Sequence, residues 1–178
     1  MKKRFQIILA TMLCFCFLVP ACSESILNPD ELDLPIGDPN PASRFMFTGQ
    51  SYIYRLVEQD DIWNANTMMN VTFEPCCRTD WHSHGGGQIL IAVNGIGIHQ
   101  VEGQEPELLL PGMVARVEPG VMHWHGAADD SWLQHIAVET NPNMPGFSVG
   151  EKITDEVYED ALTLARELAG FNRQREQP

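Results

Sequence analysis

Apolar residues follow a short, frequently interrupted rhythm through the middle of this chain and a longer one at its end. Gln50 to Val57 mixes aromatic and β-branched residues in a way that predicts a strand, and Met68 to Phe73 predicts another after the polar connection Asp60 to Asn66. Ile89 to Val93 is a short apolar run of the kind found in buried strands, and Asn94-Gly95 after it predicts a hairpin turning back through Ile96 to Val101. Leu108-Leu109-Leu110 stops at Pro111-Gly112, Met113 to Val117 stops at Pro119-Gly120, and Trp132 to Val138 is the last strand predicted. Many short strands with turn residues between them argue for an all-β barrel or sandwich.

Beyond them the period becomes helical. Val157, Ala161, Leu164, Ala165 and Leu168 fall on one stripe, Thr154 can cap the start, Asp155-Glu156 suit its positive end, and Gly170 predicts the stop. The stripe should pack on the barrel or on a second subunit. At the other end, Lys2-Lys3-Arg4, the apolar run Phe5 to Val19 and the sequence Val19-Pro20-Ala21-Cys22 have the order of a bacterial lipoprotein signal, which predicts lipid on Cys22; a plain secretory signal is the alternative. Residues 23–44 are rich in Pro, Asp, Asn and Glu without a sustained period and predict a disordered tether. The expected plan is thus signal 1–22, tether 23–44, β-barrel 45–150, and helix with tail 151–178. Such a protein would face the bacterial cell envelope, anchored to the membrane through Cys22.

Composition removes some function classes. A formal charge of −13 argues against nucleic-acid binding, which needs the opposite sign. Of the five cysteines, Cys14 and Cys16 would leave with the signal. Cys76 and Cys77 are adjacent, about 3.8 Å apart across a trans peptide, too close for an unstrained bridge. They are expected to be packed side chains. No Cys-x-x-Cys pattern supports a thiolate zinc site.

The chemistry concentrates in two segments, Trp81-His82-Ser83-His84-Gly85-Gly86-Gly87-Gln88 and His123-Trp124-His125, which hold four of the six histidines. On a strand, His82 and His84 leave the same face, roughly 7 Å apart. Gly85-Gly86-Gly87 allows the chain to bend so that Gln88 returns toward the same point. Two imidazoles on one face, answered by His123, read as a metal site on a β-scaffold. His125 would share the face of His123, either as a second functional histidine or as packing. Trp81 and Trp124 read as core residues, His99 as structural, and Glu74 and Glu118 as solvated strand-end carboxylates.

With these segments in register, the chain resembles the cupin superfamily. His82, His84 and Gly95 match the first cupin motif, with Gln88 in the place of its acid and Cys76 in the place of its leading glycine. Gly112, Gly120 and His123 match the second, with Glu118 replacing a proline and Ala127 an asparagine. The run from Val71 to Pro75, His135-Ile136-Ala137 and Thr154-Asp155-Glu156 look like a small single-domain group. That group includes manganese-dependent bacterial hydroxynitrile lyases and cupins linked to carboxymuconolactone decarboxylases. The resemblance implies a single cupin (double-stranded β-helix, jelly-roll) barrel with a C-terminal α-helix, and a homodimer. It implies one divalent metal ion, manganese first, with iron, nickel, cobalt or zinc as alternatives. The implied ligands are His82, His84, Gln88 and His123, and the implied active-site histidine is His135.

The expected activity is that of a lyase on a small hydroxy or carbonyl compound, hydroxynitrile lyase-like or retro-aldol-like. In it the metal is a Lewis acid, and His135, with His125 as second candidate, moves the proton. With an amide in place of a carboxylate, the ion's charge is left largely uncancelled, which strengthens the Lewis acid and weakens its binding. A metal-dependent dioxygenase and a non-catalytic protein that holds a small ligand are the alternatives.

Overall fold

In a computed structural model of the chain, residues 34–58 and 67–175 are described, with side chains as far as Gly170. The signal, Cys22 and the connection from Asp60 to Asn66 lie outside them. The elements in order are β1 (Asp38–Pro39), α1 (Ser43–Met46), β2 (Phe47–Thr48), β3 (Ser51–Val57), β4 (Met68–Phe73), β5 (Arg78–Thr79) and β6 (His82–His84). They continue with β7 (Gln88–Gly95), β8 (Gly97–Val101), β9 (Glu107–Leu109), β10 (Val114–Val117), β11 (His123–Ala127), β12 (Leu133–Glu139), β13 (Phe147–Val149) and α2 (Asp155–Arg175). Two antiparallel sheets face each other. One has the order β1-β3-β4-β12-β7-β10; the other runs β13-β6-β11-β5-β2, with β8 joining β11 to β9. This is the expected all-β jelly-roll with a C-terminal helix.

The strands predicted at β3, β4, β9, β10 and β12 stand where the apolar pattern placed them. The hairpin predicted at Asn94-Gly95 does not form. Gly95 remains paired with Leu133 and Asn94 with Gln134 in the first sheet, while β8 pairs with β11 and β9 in the second. The turn residues mark a crossing between layers instead. Gly95 has φ +78°, and a side chain there would collide with the carbonyl oxygen of Trp132, so glycine serves both the bend and the close approach.

The core has two parts because the second sheet is covered on both faces. Inside the barrel, Phe73, Leu90, Leu109 and Leu133 pack with smaller residues. Outside it, Trp124, Ile98, Leu108 and Ile153 pack beneath Tyr158, Ala161, Leu162 and Ala165 of α2. Strand β11 is therefore buried along its whole length, with Trp124 turned toward the helix and His123 and His125 toward the interior. Thr154 caps α2 as expected, accepting a hydrogen bond from the Val157 amide.

Two details of the helix differ from the sequence expectation. Val157 and Leu164 are exposed, and the covered stripe is rotated onto Tyr158 and Leu162, because the Tyr158 hydroxyl donates to the Ala127 carbonyl (2.7 Å) and the Arg78 guanidinium lies over its ring. Gly170 does not end the helix, which continues to Arg175; an isolated glycine costs only about 1 kcal/mol there.

The folded part also starts before Phe45, where the sequence reading put its boundary. The outer face of the first sheet carries Asn70 and Gln134, both fully buried. Gln134 donates to the Leu34 carbonyl and accepts from the Leu34 amide, and Asn70 donates to the Pro35 carbonyl. Residues 34–44 thus lie along the sheet as a strap, with β1 paired to β3. Their anchoring is by backbone groups and by the polar side chains of Asn40 and Ser43 on Ser51, which leave no apolar period to read. Cys77 is a buried free thiol, so the adjacent cysteines do not bridge each other. Gln134→Ala should lower stability by about 1–3 kcal/mol in urea unfolding, since it strips partners from the strap and empties a buried site. An unchanged midpoint would show that the strap adds nothing.

Candidate metal centre

The interior histidines are brought together by register. His123 on β11 is the direct antiparallel partner of His82 on β6, and His125 is the partner of His99 on β8. The rings of His82 and His123 have centroids 4.2 Å apart; those of His82 and His84 are 5.3 Å apart, and those of His84 and His123 are 5.8 Å apart. Gln88, the first residue of β7, reaches the same point with Oε1 2.9 Å from His123 Nε2. His82, Gln88 and His123 therefore meet despite their separation in sequence, and the His84 ring lies beside them.

Gly85-Gly86-Gly87 is what lets β6 turn into β7 so tightly. A side chain at Gly86 would fall on the Thr140 carbonyl oxygen, and one at Gly85 on the carbonyls of Met144 and Pro145. The segment after β12 is laid directly across the glycines, held by Thr140 Oγ1 and Asn141 Nδ2 donating to the Gly86 carbonyl. Phe147 beyond it closes on the His82 and His84 rings.

Hydrogen bonds orient the imidazoles. His82 Nδ1 faces the Asp80 carbonyl at 2.9 Å and His123 Nδ1 the Val121 carbonyl at 3.3 Å. An Nδ1–H donating to each leaves Nε2 with a free lone pair, the tautomer a metal requires. His84 Nδ1 stands 3.5 Å from Glu139 Oε1, and its buried Nε2 has no partner among the described residues. Gln88 Oε1 and His123 Nε2 would then be two acceptors facing one another at 2.9 Å. That is about the spacing of neighbouring ligands on one first-row ion, and it is repulsive unless positive charge is shared between them. The residues fit a divalent metal.

Burial sets the electrostatics. It pushes His82 down to about 4 and His135 to about 3, and it holds His123 and His125 well below the ordinary imidazole range, reinforced by their neighbours' charge. All four are neutral at neutral pH, which is the ligand-competent form.

Two placements differ from the sequence reading. The ligand atoms of His82, His123 and His125 all lie within 4.8 Å of one another, so His125 competes with His84 for the third position. His99 is not an isolated structural residue. It is buried with its ring 5.8 Å from His123 and Nδ1 3.2 Å from Glu107 Oε1, so all six histidines line one interior. The sequence reading also passed over Glu139. It stands four residues after His135 on β12 and lines the same cavity, a spacing that alternation alone could have used. Glu74, read as solvated, accepts a hydrogen bond from Tyr52.

A cavity of about 450 Å³ opens from this centre. Ile53, Met69, Val71 and Phe73 form its apolar wall, His125 and His135 its floor, and no lysine or arginine is among its lining residues. His125 is stacked on Phe73 (8° between planes) and meets His135 edge to face with centroids 4.9 Å apart. His135 is fully buried, and neither of its ring nitrogens has a partner among the described residues.

No family model matches the chain. An (R)-mandelonitrile lyase from Granulicella tundricola is 43% identical over 89 residues, which cover 50% of this chain and 68% of that protein. The crystal structure of a cupin-like protein from Thermotoga maritima superposes with a TM-score of 0.67 at 36% identity, over 72% of this chain and 96% of that one. The chain is a small cupin. A predicted oxalate decarboxylase from Thermotoga maritima shares the cupin fold at 18% identity, with a TM-score of 0.52 over 64% of this chain and 96% of the other.

The buried imidazoles give the metal-free cupin an acid limit. Each folded-state pKa is below the unfolded value of about 6.5, so above that pH the four contribute nothing. As pH falls, the unfolded chain binds protons that the folded interior refuses, and stability is lost from about pH 6.5 downward; the share of His82 levels off near 4, where it titrates, while those of His135, His123 and His125 continue below. Urea unfolding of chelator-stripped protein should show uptake of roughly four protons at pH 5. A stability flat from pH 7 to pH 5 would contradict neutral burial.

Proposed function

We propose that this cupin is a metal-dependent lyase that cleaves the bond next to the hydroxyl carbon of a small, uncharged hydroxy compound, in the manner of a hydroxynitrile lyase. The observation that carries the reading is His135, a buried free base on the cavity floor whose two nitrogens have no partner among the described residues. Buried polar atoms without partners are rare, and at a cavity they await a ligand. The 43% identity to a mandelonitrile lyase gives the chemical class.

His82, His84, Gln88 and His123 would hold the ion. His84 is preferred to His125 as third imidazole because Glu139 gives its Nδ1 an acceptor, whereas His125 Nδ1 is buried without one to fix its tautomer. When bound, a divalent cation supplies positive charge that acidifies a nearby hydroxyl and stabilises the developing alkoxide; manganese is the ion we propose. The apolar wall receives the substituent of the substrate, and the absence of lysine and arginine there disfavours a carboxylate substrate.

For a cyanohydrin, His135 takes the hydroxyl proton, the oxygen's electrons form the carbonyl, and cyanide departs with the electron pair of the broken C–C bond. Protonated His135 then returns its proton to cyanide, giving an aldehyde and hydrogen cyanide. Burial raises the cost of charging His135, and the negative charge appearing beside it offsets that cost. His125, stacked on Phe73, keeps the His135 ring in place and is the second candidate for the proton. We also infer, from the N-terminal sequence pattern, an envelope protein lipidated at Cys22, and, from the resemblance, a homodimer.

The test is elemental analysis of the purified protein followed by assay with mandelonitrile. A stoichiometric metal that is lost in His82→Ala and His123→Ala, with release of benzaldehyde that chelation abolishes, is expected. His135→Ala should keep the metal and lower kcat by about 10²–10⁴-fold. Oxygen uptake without aldehyde release would favour the dioxygenase, and tight ligand binding without turnover the binding protein.

A further inference from the structure

Gln88 and Glu139 are direct neighbours across the β7–β12 ladder, so their side chains leave the same face with Cβ atoms about 5 Å apart. Gln88 is the amide that stands where a carboxylate is expected among the ligands. Glu139 lines the same cavity, with Oε1 3.5 Å from Nδ1 of His84. The other nitrogen of that ring, Nε2, is buried without a partner among the described residues and is the atom left free to bind an ion.

We propose that the carboxylate of this centre has moved one strand over: Glu139, from β12, fixes His84 as a ligand and supplies the negative charge that Gln88 lacks. The inference rests on the metal-centre reading above. Two observations support it. Asp80 and Val121 offer carbonyl oxygens to the Nδ1 atoms of His82 and His123, and Glu139 is the equivalent acceptor for His84, so each of the three imidazoles has one. Among the described residues, no lysine or arginine lines the cavity to claim the carboxylate instead.

A carboxylate behind a ligand imidazole makes that imidazole a stronger donor while leaving the ion's own positions open. A carboxylate bound directly would cancel the ion's charge more completely and occupy a position. The arrangement thus tightens metal binding with a smaller loss of Lewis acidity. Glu139 is a positioning residue under this proposal.

The experiment titrates Mn²⁺ into the chelator-stripped protein and reads free Mn²⁺ by its paramagnetic resonance signal. Glu139→Ala, which removes acceptor and charge, should weaken Mn²⁺ binding by about 10–100-fold. Glu139→Gln keeps an acceptor and should fall between it and the native protein. Adding Gln88→Glu to Glu139→Gln returns a carboxylate to the site and should restore affinity to within roughly threefold of native, a rescue that a merely structural role would not give. Glu139 is part-exposed, and circular dichroism melts of the metal-free variants establish that each is folded. If Glu139→Ala and Glu139→Gln bind Mn²⁺ as natively while His82→Ala and His123→Ala do not, the relocated carboxylate is wrong and the metal centre stands. If the histidine variants also bind unchanged, both readings fall.

Discussion

Neutral imidazole has to be buried here without being charged, and much of the interior follows from that requirement. A charged histidine in the barrel would face a desolvation cost of several kcal/mol beside other rings of the same kind. A neutral one has a donor and an acceptor to satisfy. For His82 and His123 the donor goes to a backbone carbonyl two residues upstream, a local arrangement available only because the strands break just before them. What remains is a set of lone pairs directed at one volume. The protein alone cannot satisfy them, and their repulsion is the energetic opening into which a cation fits.

The scaffold meets this requirement by doubling the cover on one strand. Because α2 seals the outer face of the second sheet, β11 can hold Trp124 in an apolar layer and the two histidines in the barrel. A strand open to water on its outer face could not keep His123 and His125 so dry. The triple glycine solves the remaining problem of closing the rim. With no side chains at residues 85–87, the backbone from Thr140 to Gly146 lies directly on the turn and brings Phe147 down on the ligand rings.

Most of the barrel was legible in the sequence, since short apolar runs ending in Pro-Gly or Asn-Gly record both strand and break. The same code misled at Asn94-Gly95. A glycine with positive φ marks a bend, but whether the next strand returns to its neighbour or crosses to the facing sheet depends on what packs there, here Trp132 and Leu133. Helical period allowed two overlapping stripes on α2, and the choice between them was made by one hydroxyl and one guanidinium. The N-terminal strap was invisible because it is held by its backbone and by polar side chains. At the centre, His82, His84, Gln88 and His123 could be grouped from spacing and resemblance. Alternation could have placed Glu139 on the face of His135, but its neighbour Gln88, like the His125 that His99 pairs with, lies on another strand and only the register supplies it.

Gln88 and Glu139 together bear on what the cavity can do. Read alone, the amide implies an ion with its charge uncancelled. With a carboxylate on the neighbouring strand, the net charge of the pocket is lower, yet the carboxylate stands beside His84 Nδ1 and would act on an ion through that ring. An anionic substrate would meet Glu139 at the rim and no guanidinium or ammonium within. A neutral one can place its apolar substituent against Met69, Val71 and Phe73 and present one oxygen to the centre. Its proton then has a neutral imidazole, His135, to accept it; burial makes that imidazole a weak base, and the negative charge that develops beside it as the bond breaks offsets the cost of charging it. A base of this kind suits a reaction in which the proton is borrowed for one bond cleavage and returned to the leaving group.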